Sequence, residues 1–247
     1  MPTSYPDLAH FSDDPDDAWT LPGRYYYDEA VYADELEQIF YRNWQYVCHI
    51  SQLKTPGRYV VRDIGSQSVV VLRDAHSEIR GFHNVCQHRA HRLLEGEGQV
   101  RESITCPYHA WSYGLDGSLV GAPHMEETTG FNKADFPLIT PAQATWEGNV
   151  FVHIGDKPEP FEAAYAPVLT KFAPWHVGEL MPVHREVYEV KANWKLIVQN
   201  YSECYHCPII HPALEKLSHY RDTENDLEEG PFLGGPRRIG QKDGGLS

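Results

Sequence analysis

Cys86-Gln87-His88-Arg89 and Cys106-Pro107-Tyr108-His109 decide how this 247-residue chain is read. In each stretch a Cys is followed within three residues by a His, and seventeen residues separate His88 from Cys106. Because the Cys leads both times, the two thiolates can converge on one iron of a [2Fe–2S] cluster and the two imidazoles on the other. Imidazole in place of thiolate raises the potential of such a cluster, which points to electron transfer. Zinc is the competing reading, since two Cys and two His also make a zinc set. The flanks weigh against it, because they are strand-like and no helix carries a His pair as in a zinc finger.

Working outward, Arg58–Arg62, Ser68–Leu72 and Ile79–Phe82 alternate as short strands between Pro-Gly, Ile-Gly and Asp-Ala-His turns. Both Cys/His pairs fall in loops, and Leu115-Asp116-Gly117-Ser118 makes a turn after the second. Trp44–Ile50 is an apolar segment in which Cys48 reads as a buried thiol. Asn149–Ile154 reads as a last strand. Upstream, Asp28 is placed to cap a helix whose apolar face is Tyr32, Leu36, Ile39 and Phe40. Several Pro between Gly155 and Pro182 predict a connector with little regular structure. Val187–Val190 suggests a strand, and Trp194, Ile197, Val198, Tyr201 and Tyr205 fall at helical spacing.

This gives an α+β chain in four parts: an arm and helix over 1–44, an all-β domain over 45–155, a connector over 156–185, and a different region over 186–247. Hydrophobic residues make up 41% of the chain, enough for a packed core. The formal charge of −14 argues against nucleic acid and against an anionic membrane surface as partners. The Pro- and Asp-rich start lacks the pattern of a secretion signal, and no apolar run is long enough to span a bilayer, so a cytoplasmic protein is expected.

The last region holds a second constellation, Glu203-Cys204-Tyr205-His206 followed by His211. Non-haem iron is typically held by two His and a carboxylate, with positions left open for O₂ and substrate. His206 and His211 supply the imidazoles, if the helix ends or bends near Pro208. Glu203 and His206, three apart, would share a helix face. Cys204 and Cys207 form a C-x-x-C that fits redox chemistry, but small core-filling side chains are the preferred reading.

Cys86-Gln87-His88-Arg89 with Leu93, and Cys106-Pro107-Tyr108-His109-Ala110-Trp111, resemble the Rieske signature of the α subunits of Rieske non-haem iron oxygenases. Asn193-Trp194-Lys195-Leu196, Glu203, Tyr205-His206 and His211-Pro212 resemble the helix that carries the mononuclear iron in the same enzymes. The resemblance runs from about Leu36 to about Pro236. It implies a Rieske [2Fe–2S] domain followed by a helix-grip-like α+β catalytic domain. Cys86, His88, Cys106 and His109 would hold the cluster, and His206 and His211 the mononuclear Fe(II). Glu203 would link an iron-bound His to His109 of a neighbouring subunit in a homotrimer, with Asn200 and Tyr205 lining the site. The implied activity is that of a terminal oxygenase fed from NAD(P)H by a reductase or ferredoxin. It would hydroxylate or oxidatively demethylate a small substrate, an aromatic ring or a quaternary ammonium compound. The alternative is a chain that only transfers electrons.

Two departures stand out. The family usually has Gly where this chain has Ala90, at a turn that suits positive φ. The third ligand of the family is an Asp well downstream, and Asp222, Asp226 and Asp243 lie in a polar, Gly-rich stretch, so that ligand is expected beyond residue 247. The chain therefore reads as a catalytic domain cut short. Residues after about 185 are expected to pack poorly, and 45–155 to fold alone.

Overall fold

Val69, Val70, Val71 and Leu72 are all fully buried, which a strand achieves only when both its faces are covered. The structure, a computed structural model, describes residues 19–222 together with Leu8, Ser12, Asp14, Asp16, Asp17, Gly234 and Gly235. In it β2 (Arg58–Ile64) and β3 (Gln67–Arg73) form a hairpin about Gly65, whose φ of 58° suits the tight turn. Side chains alternate along these strands, so Val60, Val69 and Val71 enter one core while Val61, Val70 and Leu72 enter another.

Three antiparallel sheets share these two cores. β1 (Gln45–His49), β10 (Asn149–His153) and β9 (Ala142–Trp146) lie in the order β1-β10-β9. β4 (Ile79–His83) and β5 (Glu97–Gln99) complete the order β4-β3-β2-β5. β6 (Ser103–Thr105), β7 (Ser112–Gly114) and β8 (Leu119–Gly121) make the third sheet. The first core joins Val47, Cys48, Val150 and Val152 to the β2–β3 hairpin. Cys48 is the buried thiol expected, and burial pushes it up to about 12. The second core packs Phe82, Ile104, Trp111, Tyr113 and Leu119 around Cys86 and Cys106. Beyond it, Asp74 is a buried carboxylate that accepts the backbone N–H of His76 and Glu78 and the guanidinium of Arg80.

The chain divides into two compact units, Ala33–Glu186 and its flanks Met1–Tyr32 with Val187–Ser247. α1 (Glu29–Gln38) crosses the division, and the Asp28 carboxylate caps it by accepting the N–H of Ala30. The stretch read as an irregular connector instead forms α2 (Phe161–Ala164), α3 (Ala166–Phe172) and two 3-10 turns. Pro160, Pro167 and Pro174 sit at or just before helix starts, where no backbone donor is lost. Its aromatic side chains give it a reason to order: Phe161 is buried against Trp44 and Phe151, and Tyr165 donates to the Trp44 carbonyl.

In the flanking unit, α4 (Trp194–Ser202), α5 (Cys207–Ile210) and α6 (Pro212–Leu217) follow one another. Asn193 caps α4 by accepting the N–H of Lys195. The strand expected over Val187–Val190 does not form; the segment has no ladder partner among the described residues, and Tyr188 is 79% exposed. Helical spacing also overshoots at Tyr205, because α4 ends at Ser202 and Glu203 is extended. Among the described residues no helix is long and apolar enough to cross a membrane.

Candidate metal centres

The two Cys/His loops have one construction. In the first, Cys86 donates its N–H to the His91 carbonyl and accepts that of Ala90; in the second, Cys106 does the same with Trp111 and Ala110. Both closures need a residue at positive φ four places after the Cys, and Ala90 (φ 55°) and Ala110 (φ 58°) fill that place. The strain foreseen at Ala90 is thus real and occurs twice. Buried Asn84 staples the first loop, donating to the Leu94 carbonyl at 2.8 Å and accepting the Leu94 N–H at 2.9 Å.

These closures sort the donors by depth. Cys86 and Cys106 are each 2% exposed in the core, whereas His88 and His109 lie exposed at the loop tips with ring centroids 4.8 Å apart. Burial pushes the Cys106 thiol up, which disfavours a bare thiolate there, and a bound cation reverses that balance by deprotonating a coordinating thiol. Partial desolvation, then the positive charge of His88, Arg89 and His91, holds His109 below its usual range, which favours the neutral ring that a ligand needs. Two buried sulfurs and two surface imidazoles fit a [2Fe–2S] group of Rieske type.

Sequence reasoning passed over two supports of this site. Tyr113, fully buried, accepts the Gln87 N–H at 2.9 Å and has its hydroxyl 3.3 Å from Cys86 Sγ, which it can reach as a donor. Trp111 stacks on His88 at 4.8 Å and 11°, and itself packs edge-to-face against the stacked pair Phe131 and Phe136. Their signal was the aromatic run after Cys106, but nothing local says which loop they serve.

The second constellation assembles differently from the expected single helix face. Glu203 is extended after α4 and His206 precedes α5, yet the turn between them brings Glu203 Oε1 to 2.5 Å from His206 Nδ1. The same carboxylate accepts the Tyr205 N–H. The hydrogen bond from His206, then the backbone donor, holds the Glu203 carboxyl below its usual range. With Nδ1 turned to Glu203, Nε2 is the nitrogen of His206 left for a metal. Pro208 starts α5 rather than bending a longer helix, and α5 is one turn long, so His211 returns to 5.2 Å from His206 between ring centroids. The imidazole pair and its carboxylate support fit a two-histidine iron site that draws a further ligand from elsewhere.

Asn200 is exposed on α4, and Tyr205, 83% exposed, meets the ring of Tyr220. Asp222 closes a 3-10 turn, while Asp226 and Asp243 lie outside the described residues. Among the described residues no three of His, Cys, Asp and Glu converge on one ion. One expectation fails: Cys204 and Cys207 are not separate core fillers but a disulfide, with Cα atoms 5.0 Å apart.

Residues 43–137 match the Rieske [2Fe-2S] domain family, and residues 177–244 match the catalytic domain of the ring hydroxylating alpha subunit family. The carnitine monooxygenase oxygenase subunit of Escherichia coli (strain K12) is 38% identical over 206 residues, covering 83% of this chain and 55% of the relative. The glycine betaine monooxygenase oxygenase subunit of Chromohalobacter salexigens is 34% identical over 214 residues, covering 83% and 46%. The solved quaternary ammonium Rieske monooxygenase CntA in complex with L-carnitine superimposes with a TM-score of 0.77 at 34% identity, over 85% of this chain and 60% of that one. The chain spans about half the length of the curated relatives it matches. With the two domain matches in this order and this agreement of fold, the chain belongs to the α subunits of the Rieske non-haem iron oxygenases.

Proposed function

We propose that the chain serves as the terminal oxygenase component of a multi-component Rieske oxygenase whose substrate is a small quaternary ammonium compound. The observation that carries this reading is the presence, on one chain, of the paired Cys/His loops and of His206 and His211 backed by Glu203. A pure electron carrier has no use for the second constellation. The substrate class rests on the relatives, whose names specify carnitine and glycine betaine.

When bound, a cluster at the first site supplies electrons singly and an Fe(II) at the second activates O₂ for hydroxylation or oxidative demethylation. Cys86 and Cys106 would hold one iron of that cluster, and His88 and His109, exposed at the loop tips, the other. Tyr113 stabilises negative charge on the Cys86 sulfur, and Trp111 fixes the plane of His88. His206 and His211 would hold the Fe(II), with a carboxylate as the third ligand. Glu203 keeps the proton of His206 on Nδ1, and in a homotrimer its other oxygen meets His109 of a neighbouring subunit, giving electrons a hydrogen-bonded route. Electrons come from NAD(P)H through a reductase or ferredoxin.

Iron and acid-labile sulfide on anaerobically purified protein, with EPR after dithionite, test the assignment. About three irons and two sulfides per chain are expected. His109→Ala then loses the sulfide and the Rieske-type signal, whereas His206→Ala loses only the single iron. Two irons with two sulfides, and no effect of His206→Ala, would leave an electron-transfer protein and overturn the oxygenase reading.

A further inference from the structure

We propose that Cys204 and Cys207 are a reversible redox pair built into the metal-binding turn, and that their disulfide form is what holds His206 on Glu203. The disulfide closes a four-residue loop that contains His206 itself. Around that loop run the contacts a metal site needs: Glu203 Oε1 at 2.5 Å from His206 Nδ1, Cys207 N–H on the Cys204 carbonyl at 2.9 Å, and His211 N–H on the Cys207 carbonyl at 2.9 Å. Packing does little of this work locally, since Tyr205, Ile209 and Ile210 are 83%, 82% and 63% exposed. A covalent cross-link is therefore the strongest constraint on the turn.

The two sulfurs are not equivalent. Cys207 is 2% exposed while Cys204 is half-buried, so an incoming thiol reaches Cys204 and leaves Cys207 as the departing sulfur. Accessible-plus-shielded pairing of this kind marks disulfides that exchange rather than ones sealed inside a core. In the oxidising direction two thiols give up two electrons and two protons. The Cys204–Cys207 bond forms, the S–S bond of a small-molecule disulfide such as oxidised glutathione breaks, and two glutathione thiols carry the protons away. Reduction by two small thiols runs the same exchange backwards. Cys48, Cys86 and Cys106 are all buried and lie outside this exchange.

The test equilibrates the full chain in a series of glutathione to oxidised glutathione ratios, quenches with N-ethylmaleimide and maps the cysteines by mass spectrometry. Cys204 and Cys207 should protect one another in a single two-electron transition. Hydrogen–deuterium exchange at Tyr205 and His206 should be several-fold faster in the reduced form. Cys207→Ser should trap one glutathione on Cys204, and Cys204→Ser should leave Cys207 unmodified. Independent alkylation of the two thiols at every ratio would overturn the proposal. So would a disulfide that persists until the chain is unfolded, or exchange rates indifferent to the redox state. None of these readouts needs a bound metal, so the redox pair and the oxygenase reading stand or fall separately.

Discussion

In the unit Ala33–Glu186, Val69, Val71, Ile104 and Val150 are fully buried; in the flank after Val187, Leu196, Ile197 and Val198 are 44%, 48% and 39% exposed. Both units carry a candidate metal centre, but they hold its donors by different means. The Cys/His loops are fixed by a core that closes around their sulfurs, so depth itself decides which donor faces inward. The Glu203–His211 turn is fixed by its own hydrogen bonds and one cross-link, with little core beneath it. Donors can thus be arranged by packing or by local chemistry, and only the first tolerates surface change while failing under core change.

The sharpest way to break this comparison is to cut one side chain in each unit. Phe82→Ala should cost about 3–5 kcal/mol in a denaturant titration, because a fully packed ring is replaced by a cavity. Ile197→Ala should fall within about 0.5 kcal/mol, as for an exposed position. A cost at Ile197 as large as at Phe82 would mean that α4 has a covering partner and that the contrast is false.

Next in size is Asp74. Burial alone would raise its carboxyl, but the Arg80 guanidinium and the N–H groups of Glu78 and His76 outweigh that and hold it below the usual range. A depressed folded pKa contributes stability that is complete above the ordinary carboxylate value of about 3.9 and disappears as pH falls through the folded value. Asp74→Asn should cost roughly 1.5–3 kcal/mol at pH 7, the usual worth of a charge-assisted bond. Its stability should also decline less steeply than wild type below about pH 4. Equal acid slopes for the two proteins would remove Asp74 as the cause.

A smaller effect is expected at Tyr113→Phe, which deletes the hydroxyl beside Cys86 without opening a cavity. Losing a bond of about 1 kcal/mol to the more negative, reduced sulfur should lower the cluster potential by about 40 mV for one electron. Protein-film voltammetry would read this, and an unchanged potential would leave Tyr113 only its bond to Gln87. Smallest of all, Ala90→Gly and Ala110→Gly should each stabilise by about 0.5–1 kcal/mol. The relief of a left-handed backbone, roughly 1–2 kcal/mol, exceeds the added chain entropy of Gly, roughly 0.5–1 kcal/mol. Thermal unfolding measures this, and destabilisation at both sites would show that the loops are not strained.

Much of the all-β unit is legible from the chain alone. Alternation marks β2, β3, β4 and β10, Asp28 announces α1, and the paired Cys/His spacing marks the first centre. Legibility falls off where order depends on distant partners. The Pro-rich stretch after Gly155 looked irregular because its reason to fold, Phe161 against Trp44, spans the whole domain in sequence. Val187–Val190 looked like a strand because side-chain pattern carries no information on whether a ladder partner exists.

The sequence by itself determined the donor sets, because thiol, imidazole and carboxylate chemistry belongs to residue type and their short spacings survive any folding. Only the tertiary structure decided how the donors are presented. It put the sulfurs of Cys86 and Cys106 inside and the rings of His88 and His109 outside, brought Tyr113 to Cys86 across 27 residues, and let a turn instead of a helix face join Glu203 to His206. It also joined Cys204 to Cys207. The depth of the donors and the reach of Tyr113 depend on contacts closed across the fold, and the Glu203–Cys207 turn on local backbone direction; neither is written into the order of the residues that take part.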